Sequence, residues 1–263
     1  SRVRSGRFDA GREPFPTPAG SSPMTRQISG RINWTNVTNT QVTLIQIDNY
    51  GPWTVTPEPR REVDLQTLQS RLYADLSQLI GNRQGYVFFT RFDNMVAVTN
   101  GLGTDSPAAA LGTATDHLQN AGSAQDGERT EILRGEPISE DARTATDLRI
   151  AHFDVNDATG KYTDQLNEFD SFINIEQGYA ELMRYMRDTH ESLSFFVGGD
   201  NIIAVCDSID EDDYLDAIEH VRETVGVDLK VGVGTDRTAQ AAGMAAKHAL
   251  ETCREENTDV EFA

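Results

Sequence analysis

The 263-residue chain carries 42 acidic residues against 23 basic ones, a formal net charge of −19, and 38% of its residues are hydrophobic. This hydrophobic fraction is high enough for folded cores and excludes global disorder. The acidic balance disfavours binding to nucleic acid or anionic membranes, and no run approaches the ~18 apolar residues of a membrane span. Only three of the basic residues are lysine. Such a surface favours a cytoplasmic protein adapted to molar salt over an ordinary acidic one.

Residues 1–40 form a distinct first segment, with six arginines, two acids and no apolar periodicity. This composition predicts a disordered extension. Periodic structure begins only at Gln41.

From there the chain contains the same pattern twice. The first copy opens with an apolar run that ends in Asp48, and the second opens with one that ends in Asp154. An amphipathic helix pattern follows each run, with apolar residues three or four positions apart in the first copy and less regularly spaced in the second. These residues are Leu65, Leu68, Leu72, Leu76 and Leu79 in the first copy, and Phe169, Phe172, Ile173, Tyr179, Leu182, Met183 and Met186 in the second.

Each helix pattern is followed by two strand patterns that meet at Asp-Asn, which is a hairpin signature. The pair is Asp93 and Asn94 in the first copy, and Asp200 and Asn201 in the second. The offset between copies is 106 residues for the strand-ending acids and 107 for the hairpin acids. We therefore interpret the chain as a duplication.

A third match shows that the first copy is shorter. Residues 101–105 and 232–236 share Gly-x-Gly-Thr-Asp at an offset of 131, which is 24 more than the hairpin offset. In the second copy this interval holds a predicted helix, residues 211–224, and a predicted strand, residues 228–233. We predict an α+β fold of two ferredoxin-like, palm-type βαββαβ halves, the first lacking its second helix and fourth strand. The predicted boundaries are 41–121 for the first half, 122–147 for a linker and 148–263 for the second half.

Both halves place two acids near one end of their sheet. Strands one and three of a ferredoxin-like sheet are neighbours, so Asp48 should approach Asp93, and Asp154 should approach Asp200. Adjacent carboxylates repel unless a cation lies between them, and an all-oxygen ligand set suits Mg²⁺. Acids also end strands as caps or turn residues. The repetition of the pair in both copies favours metal binding.

Further residues are candidates for contact with an anionic nucleotide. Glycines at the second hairpin tip would let a ligand approach the backbone, although a tight turn explains them equally well. Trp53, in a predicted loop of residues 48–53, could stack on a purine or close the core beneath the loop. Arginines around the first half would offset phosphate charge, although the one within a helix could simply face solvent. The nucleotide-binding candidates are Asn49, Gly51, Trp53, Arg60, Arg61, Arg71, Asn94, Gly198, Gly199 and Asn201, with Arg91 beside them.

Five segments resemble the archaeal GTP cyclohydrolase III family: residues 46–57, 68–76, 90–94, 122–126 and 196–201. The resemblance extends over about residues 41–262. It implies a Mg²⁺-dependent enzyme, activated by a monovalent cation such as K⁺, that takes GTP as its substrate. The implied reaction opens the imidazole ring, keeps the formyl group and releases inorganic phosphate. The implied product is 2-amino-5-formylamino-6-(5-phosphoribosylamino)pyrimidin-4(3H)-one, for flavin and deazaflavin synthesis.

The resemblance also implies roles for particular residues. Asp48, Asp93 and Arg91 would be catalytic, and Asn49 would join Asp48 and Asp93 in holding metal. In the second half, Asp154, Asp200 and Asn201 would form either a further metal site or the guanine pocket.

Two other functional classes fit the same motifs. A palm-type nucleotidyl cyclase also carries Gly-Gly-Asp, but its hairpin usually continues with a second acid and Phe, where this chain has Asn201 and Ile202. The other class is a non-catalytic nucleotide sensor, because the missing segment leaves the strand before Asp48 at a sheet edge. We therefore expect either self-association into a homo-oligomer through residues 42–47 or a loosely held first metal site, with weak or absent turnover.

Overall fold

The structure is a computed structural model that describes residues 42–47, 50–91, 93–100, 106–121, 147–156, 167–207 and 209–263. The predicted extension and most of the predicted linker lie outside these ranges. The strands are β1 (Val42–Gln46), β2 (Tyr86–Arg91), β3 (Asn94–Val98), β4 (Leu148–Val155), β5 (Leu193–Gly198), β6 (Asn201–Cys206), β7 (Leu229–Asp236) and β8 (Val260–Phe262). The helices are α1 (Tyr50–Val55), α2 (Glu62–Gly81), α3 (Pro107–Ala121), α4 (Glu168–His190), α5 (Glu211–Val225) and α6 (Ala239–Glu256). None of these described helices is long and apolar enough to cross a membrane.

The second half forms a five-stranded sheet in the order β5-β6-β4-β7-β8. β4 pairs antiparallel with β6 and β7, and β5 pairs antiparallel with β6, which is the predicted ferredoxin-like arrangement. β8 adds a parallel strand beside β7 that the sequence pattern does not predict. Side-chain caps start the helices: Asn167 caps α4, Asp210 forms a capping box at α5, and Thr238 caps α6.

The first half forms a three-stranded sheet in the order β1-β3-β2. Within the described residues it has neither the second helix nor the fourth strand, as the sequence predicts. β1 pairs with β3 on one side, and no described strand pairs with its other side. No residue of β1 is buried, whereas seven of the eight residues of β4 are. β1 is therefore an edge strand where its counterpart β4 is central.

The two sheets share a core on their facing sides. Helix α2 covers the outer face of the first sheet, and α4 and α5 cover the outer face of the second. Between the sheets, side chains from β2, β3, β4, β5 and β6 pack with alanines of α6. Phe88 and Phe195 stack there with ring centroids 4.3 Å apart. These two residues match at the 107-residue offset, so the halves meet around an approximate two-fold relation.

Each half also supports the last helix of the other half. Gln84 and Glu191, which match at the same offset, both turn the chain with positive φ, 63° and 49°. The backbone N–H of Ala108 at the start of α3 donates to the Glu191 carbonyl at 3.0 Å. The N–H of Gln240 in α6 donates to the Gln84 carbonyl at 2.9 Å. The first turn of the last helix of each half is therefore hydrogen-bonded to the backbone of the other half.

The Gly-x-Gly motif of β7 allows α6 to approach the sheet closely. A Cβ atom on Gly232 would lie 2.1 Å from the backbone N of Leu250, and one on Gly234 would lie 2.2 Å from that of Ala246. Only glycine fits at these two positions, so the motif serves helix–sheet packing.

The structure corrects the predicted apolar faces of the long helices. In α2, the predicted residues Leu65, Leu72 and Leu76 face the core, whereas Leu68 and Leu79 are exposed. Tyr73 and Ile80 also pack on that core. In α4, Leu182 and Met186 are buried, whereas the predicted core residues Phe169, Phe172, Ile173 and Met183 are exposed. In the second half α5 packs beside α4, with His220 stacked on Tyr185. The described residues of the first half contain no counterpart of α5, and Leu68 and Leu79 of α2 are exposed.

The predicted loop of residues 48–53 is also corrected in part. Residues 50–55 form the short helix α1, with Pro52 in its first turn, where the missing proline N–H breaks no helical hydrogen bond.

Candidate functional site

Asp154 and Asp200 lie together at one end of the second sheet. Asp154, near the end of β4, is opposite Asn201, the first residue of β6. Asp200 precedes Asn201 in the hairpin, and the N–H of Val155 donates to its backbone carbonyl at 3.2 Å. The predicted approach of these two acids is therefore found.

Asp154 is a buried carboxylate with one unsatisfied oxygen. Its exposed fraction is 5%. Nη2 of Arg254, near the end of α6, lies 2.7 Å from Oδ2, while Oδ1 has no hydrogen-bond partner among the described residues. Burial raises the pKa of Asp154, and the negative charge of Asp200 raises it further, while the hydrogen bond from Arg254 lowers it. Arg254 therefore neutralises the Asp154 carboxylate through one oxygen only, and the other oxygen has no donor beside it among the described residues.

Asn201 holds Asp200, the acid of this hairpin, in place. Its Nδ2 donates to Oδ1 of Asp200 at 2.8 Å, and its Oδ1 lies 2.8 Å from Nε2 of His152. His152 is buried, and burial lowers its pKa, which favours the neutral ring. In this arrangement Asn201 positions Asp200. Because both its amide nitrogen and its amide oxygen are already hydrogen-bonded within the protein, Asn201 is poorly placed to bind a purine base.

Gly198 and Gly199 form the open tip beside these acids. Their φ angles are 110° and 66°, in the region that side chains rarely adopt. A Cβ atom added to Gly198 would meet nothing within 4 Å. The turn explains both glycines, and it also leaves the backbone accessible from solvent.

The first half presents a different arrangement. Asp93 is buried, with 7% exposed, and Arg91 of the same hairpin donates to both of its oxygens, Nε to Oδ1 at 2.7 Å and Nη2 to Oδ2 at 2.6 Å. This bidentate bond lowers the pKa of Asp93, against the opposing effect of burial. Asn94 starts β3 beside it. Asp48 and Asn49 lie outside the described residues.

The strand registers do not reproduce the alignment of Asp48 with Asp154. Asn201 is opposite Asp154, whereas its counterpart Asn94 is opposite Gln46. Gln46 therefore occupies the sheet position of Asp154, and Asp48 comes two residues later in the chain. The 106-residue offset that supported the alignment is a coincidence of acid spacing in the two runs.

The remaining nucleotide-binding candidates gather around α1 and the start of α2. The guanidinium of Arg60 lies over the Trp53 ring, 4.0 Å from its centroid, and Arg60 Nε donates to the Trp53 carbonyl at 3.1 Å. Trp53 is 37% exposed and belongs to no described core cluster. It therefore does not close the core, which was one of its two predicted roles.

Trp53, Arg60 and Arg61 line one surface cleft of about 440 Å³. Arg61 is engaged with Asp64 at 2.8 Å. Gly51 lies in α1. Arg71 lies on an exposed side of α2 and outside this cleft, so the structure separates it from the other arginines.

Arg254 and His152 are the site residues that the sequence did not reveal. Arg254 follows Asp154 by a hundred residues and reaches it only because α6 packs across β4 and β7. His152 lies two residues before Asp154, on the same face of β4, and this spacing is the signal that could have identified it.

The second-half acids fit a hard divalent cation. The unsatisfied Oδ1 of Asp154 is a buried oxygen ligand, and Asp200 supplies a second carboxylate beside it. Within the described ranges no three His, Cys, Asp or Glu side chains converge as a complete metal cage. Mg²⁺ commonly binds through one or two carboxylates, with phosphate oxygens and water as the other ligands.

Comparison with known proteins identifies the family. The family model for GTP cyclohydrolase III matches residues 42–106 and 103–262. GTP cyclohydrolase III of Natronomonas pharaonis is 79% identical over 252 residues, covering 86% of this chain and 100% of the relative. GTP cyclohydrolase III 1 of Halobacterium salinarum is 62% identical over 250 residues, covering 86% and 98%. The active GGEEF domain of a diguanylate cyclase from Vibrio cholerae is similar over 46% of this chain and 85% of that domain, at 15% identity and a TM-score of 0.37, which is too low to support an argument.

The alignment lengths agree with the shortened first half. Because 86% of 263 residues is about 226, about 26 of the 252 aligned positions in the N. pharaonis protein have no counterpart in this chain. That number is close to the 24 residues that separate the two internal offsets. With a family model matched across both halves and a 79% identical relative covered in full, the chain belongs to the GTP cyclohydrolase III family.

Proposed function

We propose that this chain binds GTP with Mg²⁺ and hydrolyses it, opening the imidazole ring while the formyl carbon stays on the product. Inorganic phosphate from the β and γ positions would be released. The product would be 2-amino-5-formylamino-6-(5-phosphoribosylamino)pyrimidin-4(3H)-one, a precursor for flavin and deazaflavin synthesis. The observation that carries this proposal is family membership over residues 42–262. The paired acids at the end of the second sheet support it.

The chain's own residues suit the separate parts of the substrate. Trp53 offers an aromatic face for guanine, and Arg60 and Arg61 beside it offer cations for phosphate oxygens. Arg60 would have to leave the indole face for a base to stack there. When bound, Mg²⁺ would neutralise triphosphate charge and make water a stronger nucleophile. We keep Asp48, Asn49 and Asp93 as proposed contributors, because the backbone N–H of Ile47, next to Asp48, donates to the carbonyl of Asp93 at 2.9 Å.

The proposal also includes activation by a monovalent cation, which rests on the family resemblance, and oligomerisation, which rests on the open edge of the first sheet. Activation by K⁺ would follow from the family's use of monovalent cations. Association into a homo-oligomer would cover the open side of β1.

A non-catalytic nucleotide sensor is the second candidate function. It is favoured by the exposed edge strand β1, because β1 leads directly into Asp48, Asn49 and α1. Catalytic groups must be held within about 0.5 Å, and an open edge is a poor support for them. We therefore expect slow turnover from this chain.

One incubation tests the proposal against both alternatives. The protein is mixed with GTP and MgCl₂ in molar KCl, and products are separated by chromatography. Release of inorganic phosphate together with a pyrimidine chromophore is the expected result. Pyrophosphate with a cyclic nucleotide would identify a cyclase instead. Saturable GTP binding without any product would identify a sensor.

A further inference from the structure

One polar side chain interrupts the core-facing side of α2. Gln69 lies four residues after Leu65 and is 5% exposed, whereas the positions around it on the same side are apolar. Its Nε2 donates to the hydroxyl of Tyr50, the first residue of α1, and its Oε1 is buried without a hydrogen-bond partner among the described residues. A buried polar atom without a partner costs stability. Packing alone therefore does not explain a glutamine at this position.

The second half has an apolar residue at the equivalent position. Tyr73 in α2 and Tyr179 in α4 each contact a phenylalanine of the strand that follows, with ring centroids 4.5 and 5.5 Å apart. Tyr179 follows Tyr73 by 106 residues, and the same offset matches Gln69 with Ile175, which packs on the core of the second half. The duplicated framework therefore accepts isoleucine where the first half has glutamine.

The contact with Tyr50 holds α1, which lies on the surface. No residue of α1 is buried. The Thr54 hydroxyl donates to the Gly51 carbonyl within the helix, and N–H groups of Arg60 donate to carbonyls near its end. Among the described residues, the Gln69–Tyr50 hydrogen bond is the one that joins α1 to α2.

Helix α1 carries Trp53, the residue that offers an aromatic face to guanine in the proposed function. Its ring lies 6.1 Å from the Tyr50 ring, centroid to centroid, so a shift of Tyr50 would also shift the indole. Trp53 lines the cleft of about 440 Å³. A cleft wall that is already ordered costs less free energy on binding than one that the ligand must order. Anchoring α1 therefore favours nucleotide binding.

We propose that Gln69 is a positioning residue for the nucleotide site, which fixes α1 through Tyr50 and thereby places the Trp53 ring. Gln69 itself contacts no part of the substrate. This inference rests on the proposed function for the role of Trp53 toward guanine.

Acrylamide quenching of Trp53 fluorescence measures the anchoring without any nucleotide. Trp34, the other tryptophan of the chain, is replaced by phenylalanine, and all variants are made in that background and studied in molar KCl. Gln69→Ile and Tyr50→Phe should each raise the quenching constant by about twofold, because a ring that is 37% exposed becomes more accessible when its helix opens locally. The double variant should show no further increase, because both changes remove the same hydrogen bond.

Tyr73→Phe is the matched control. It also removes one hydroxyl that is hydrogen-bonded to or from α2, but Tyr73 donates to the Val87 carbonyl of β2, at 3.2 Å, and not to α1. This variant should lower the melting temperature and leave the Trp53 quenching constant unchanged. Gln69→Ile should do the reverse, with a melting temperature at or above that of the unmodified chain, because it leaves no buried amide oxygen without a partner.

GTP affinity connects the anchoring to the site. The dissociation constant of GTP with Mg²⁺, measured by equilibrium dialysis, should rise about fivefold in Gln69→Ile and in Tyr50→Phe, which is the scale of one hydrogen bond. Turnover at saturating GTP should change by less than about twofold, because the lost contact serves binding alone. Tyr73→Phe should leave the GTP affinity unchanged.

Unchanged quenching in both Gln69→Ile and Tyr50→Phe would overturn the anchoring role, and increased quenching with unchanged GTP affinity would overturn the positioning role. Failure of the proposed function is distinguishable from these results. If GTP binds with the expected pattern of affinities but is not converted, the positioning inference stands and the hydrolase proposal fails. If the unmodified chain does not bind GTP, both fail.

Discussion

At the scale of single residues, Arg91 and Gly198 determine whether each hairpin acid has an arginine partner within its own hairpin. Arg91 gives Asp93 two charge-assisted hydrogen bonds, whereas Asp200 receives one neutral bond, from the amide of Asn201. The hairpin acid is therefore paired with an arginine of its own hairpin in the first half and has no such arginine in the second.

The Arg91–Asp93 pair predicts a pH-dependent effect on stability. The pKa of Asp93 is lowered in the folded chain. Its contribution is therefore present above the ordinary carboxyl pKa, about 4, and is lost as the pH falls through the lowered value. Arg91→Gln should lower the melting temperature at pH 7, and the difference from the unmodified chain should shrink below about pH 4. A difference that is equal at both pH values would show that the pair does not act through Asp93.

The glycines of β7 predict a much larger effect. Gly234→Ala would place Cβ 2.2 Å from one backbone atom of α6 and 2.3 Å from another, and a backbone cannot move aside as a side chain can. We expect a loss of about 3 kcal/mol or more in the free energy of unfolding, measured by denaturant titration.

Gly112→Ala is the matched control for that experiment. Gly112 lies in α3, where an added Cβ would meet nothing within 4 Å. The substitution should stabilise the chain by about 0.5–1 kcal/mol, because alanine favours the helix. Similar losses in the two variants would contradict the packing role given to the β7 motif.

At the scale of helices and strands, periodicity was sufficient to predict most of the fold. Runs of apolar and β-branched residues predicted the strands, and the Asp-Asn pairs predicted both hairpins. These patterns could be read from the sequence because they involve only neighbouring residues. The short helix α1 was missed because Gly51 and Pro52 usually signal a turn. The exposure of Leu68 and Leu79 in α2 was not predicted, because it depends on a covering helix that the described part of the first half does not contain.

The candidate site residues divide in the same way. Asp93, Asp200 and Asn201 could be proposed from the sequence because they belong to a local hairpin motif. Arg254 could not be identified, because its contact with Asp154 exists only after α6 has packed on the second sheet. The match between Asp48 and Asp154 failed because strand register depends on pairing, which sequence spacing alone does not fix.

Restoring the helix and strand that the described residues of the first half do not contain should increase GTP turnover. A segment patterned on residues 211–231, inserted between Asn100 and Gly101, should pair with the open side of β1 and cover α2. We expect slower amide hydrogen exchange across Val42–Gln46 and about tenfold faster GTP turnover, because α1 would be better anchored. Slow exchange of those amides in the unmodified monomer would mean that β1 is already protected by another part of the chain.

At the scale of the whole molecule, the interlocked halves carry an extreme surface charge. With a net charge of −19 and three lysines, self-repulsion in dilute buffer should loosen the fold, and molar KCl should screen it. Two of the relatives come from Natronomonas pharaonis and Halobacterium salinarum, which are halophilic archaea.

Circular dichroism across a KCl titration tests this property. We expect loss of secondary structure below about 0.1 M salt, where the Debye length exceeds about 10 Å, and recovery in molar KCl. A flat profile would contradict adaptation to high salt without bearing on the enzymatic proposal.

Whether this chain opens the imidazole ring of GTP and retains the formyl carbon can be measured by following that carbon. GTP labelled with ¹³C at C8 is incubated with the protein and Mg²⁺ in molar KCl, and the label is observed by NMR. We expect slow conversion of the purine C8 signal into that of a formyl amide, with no free formate. Release of labelled formate, or an unchanged C8 signal under conditions where GTP binds, would contradict it.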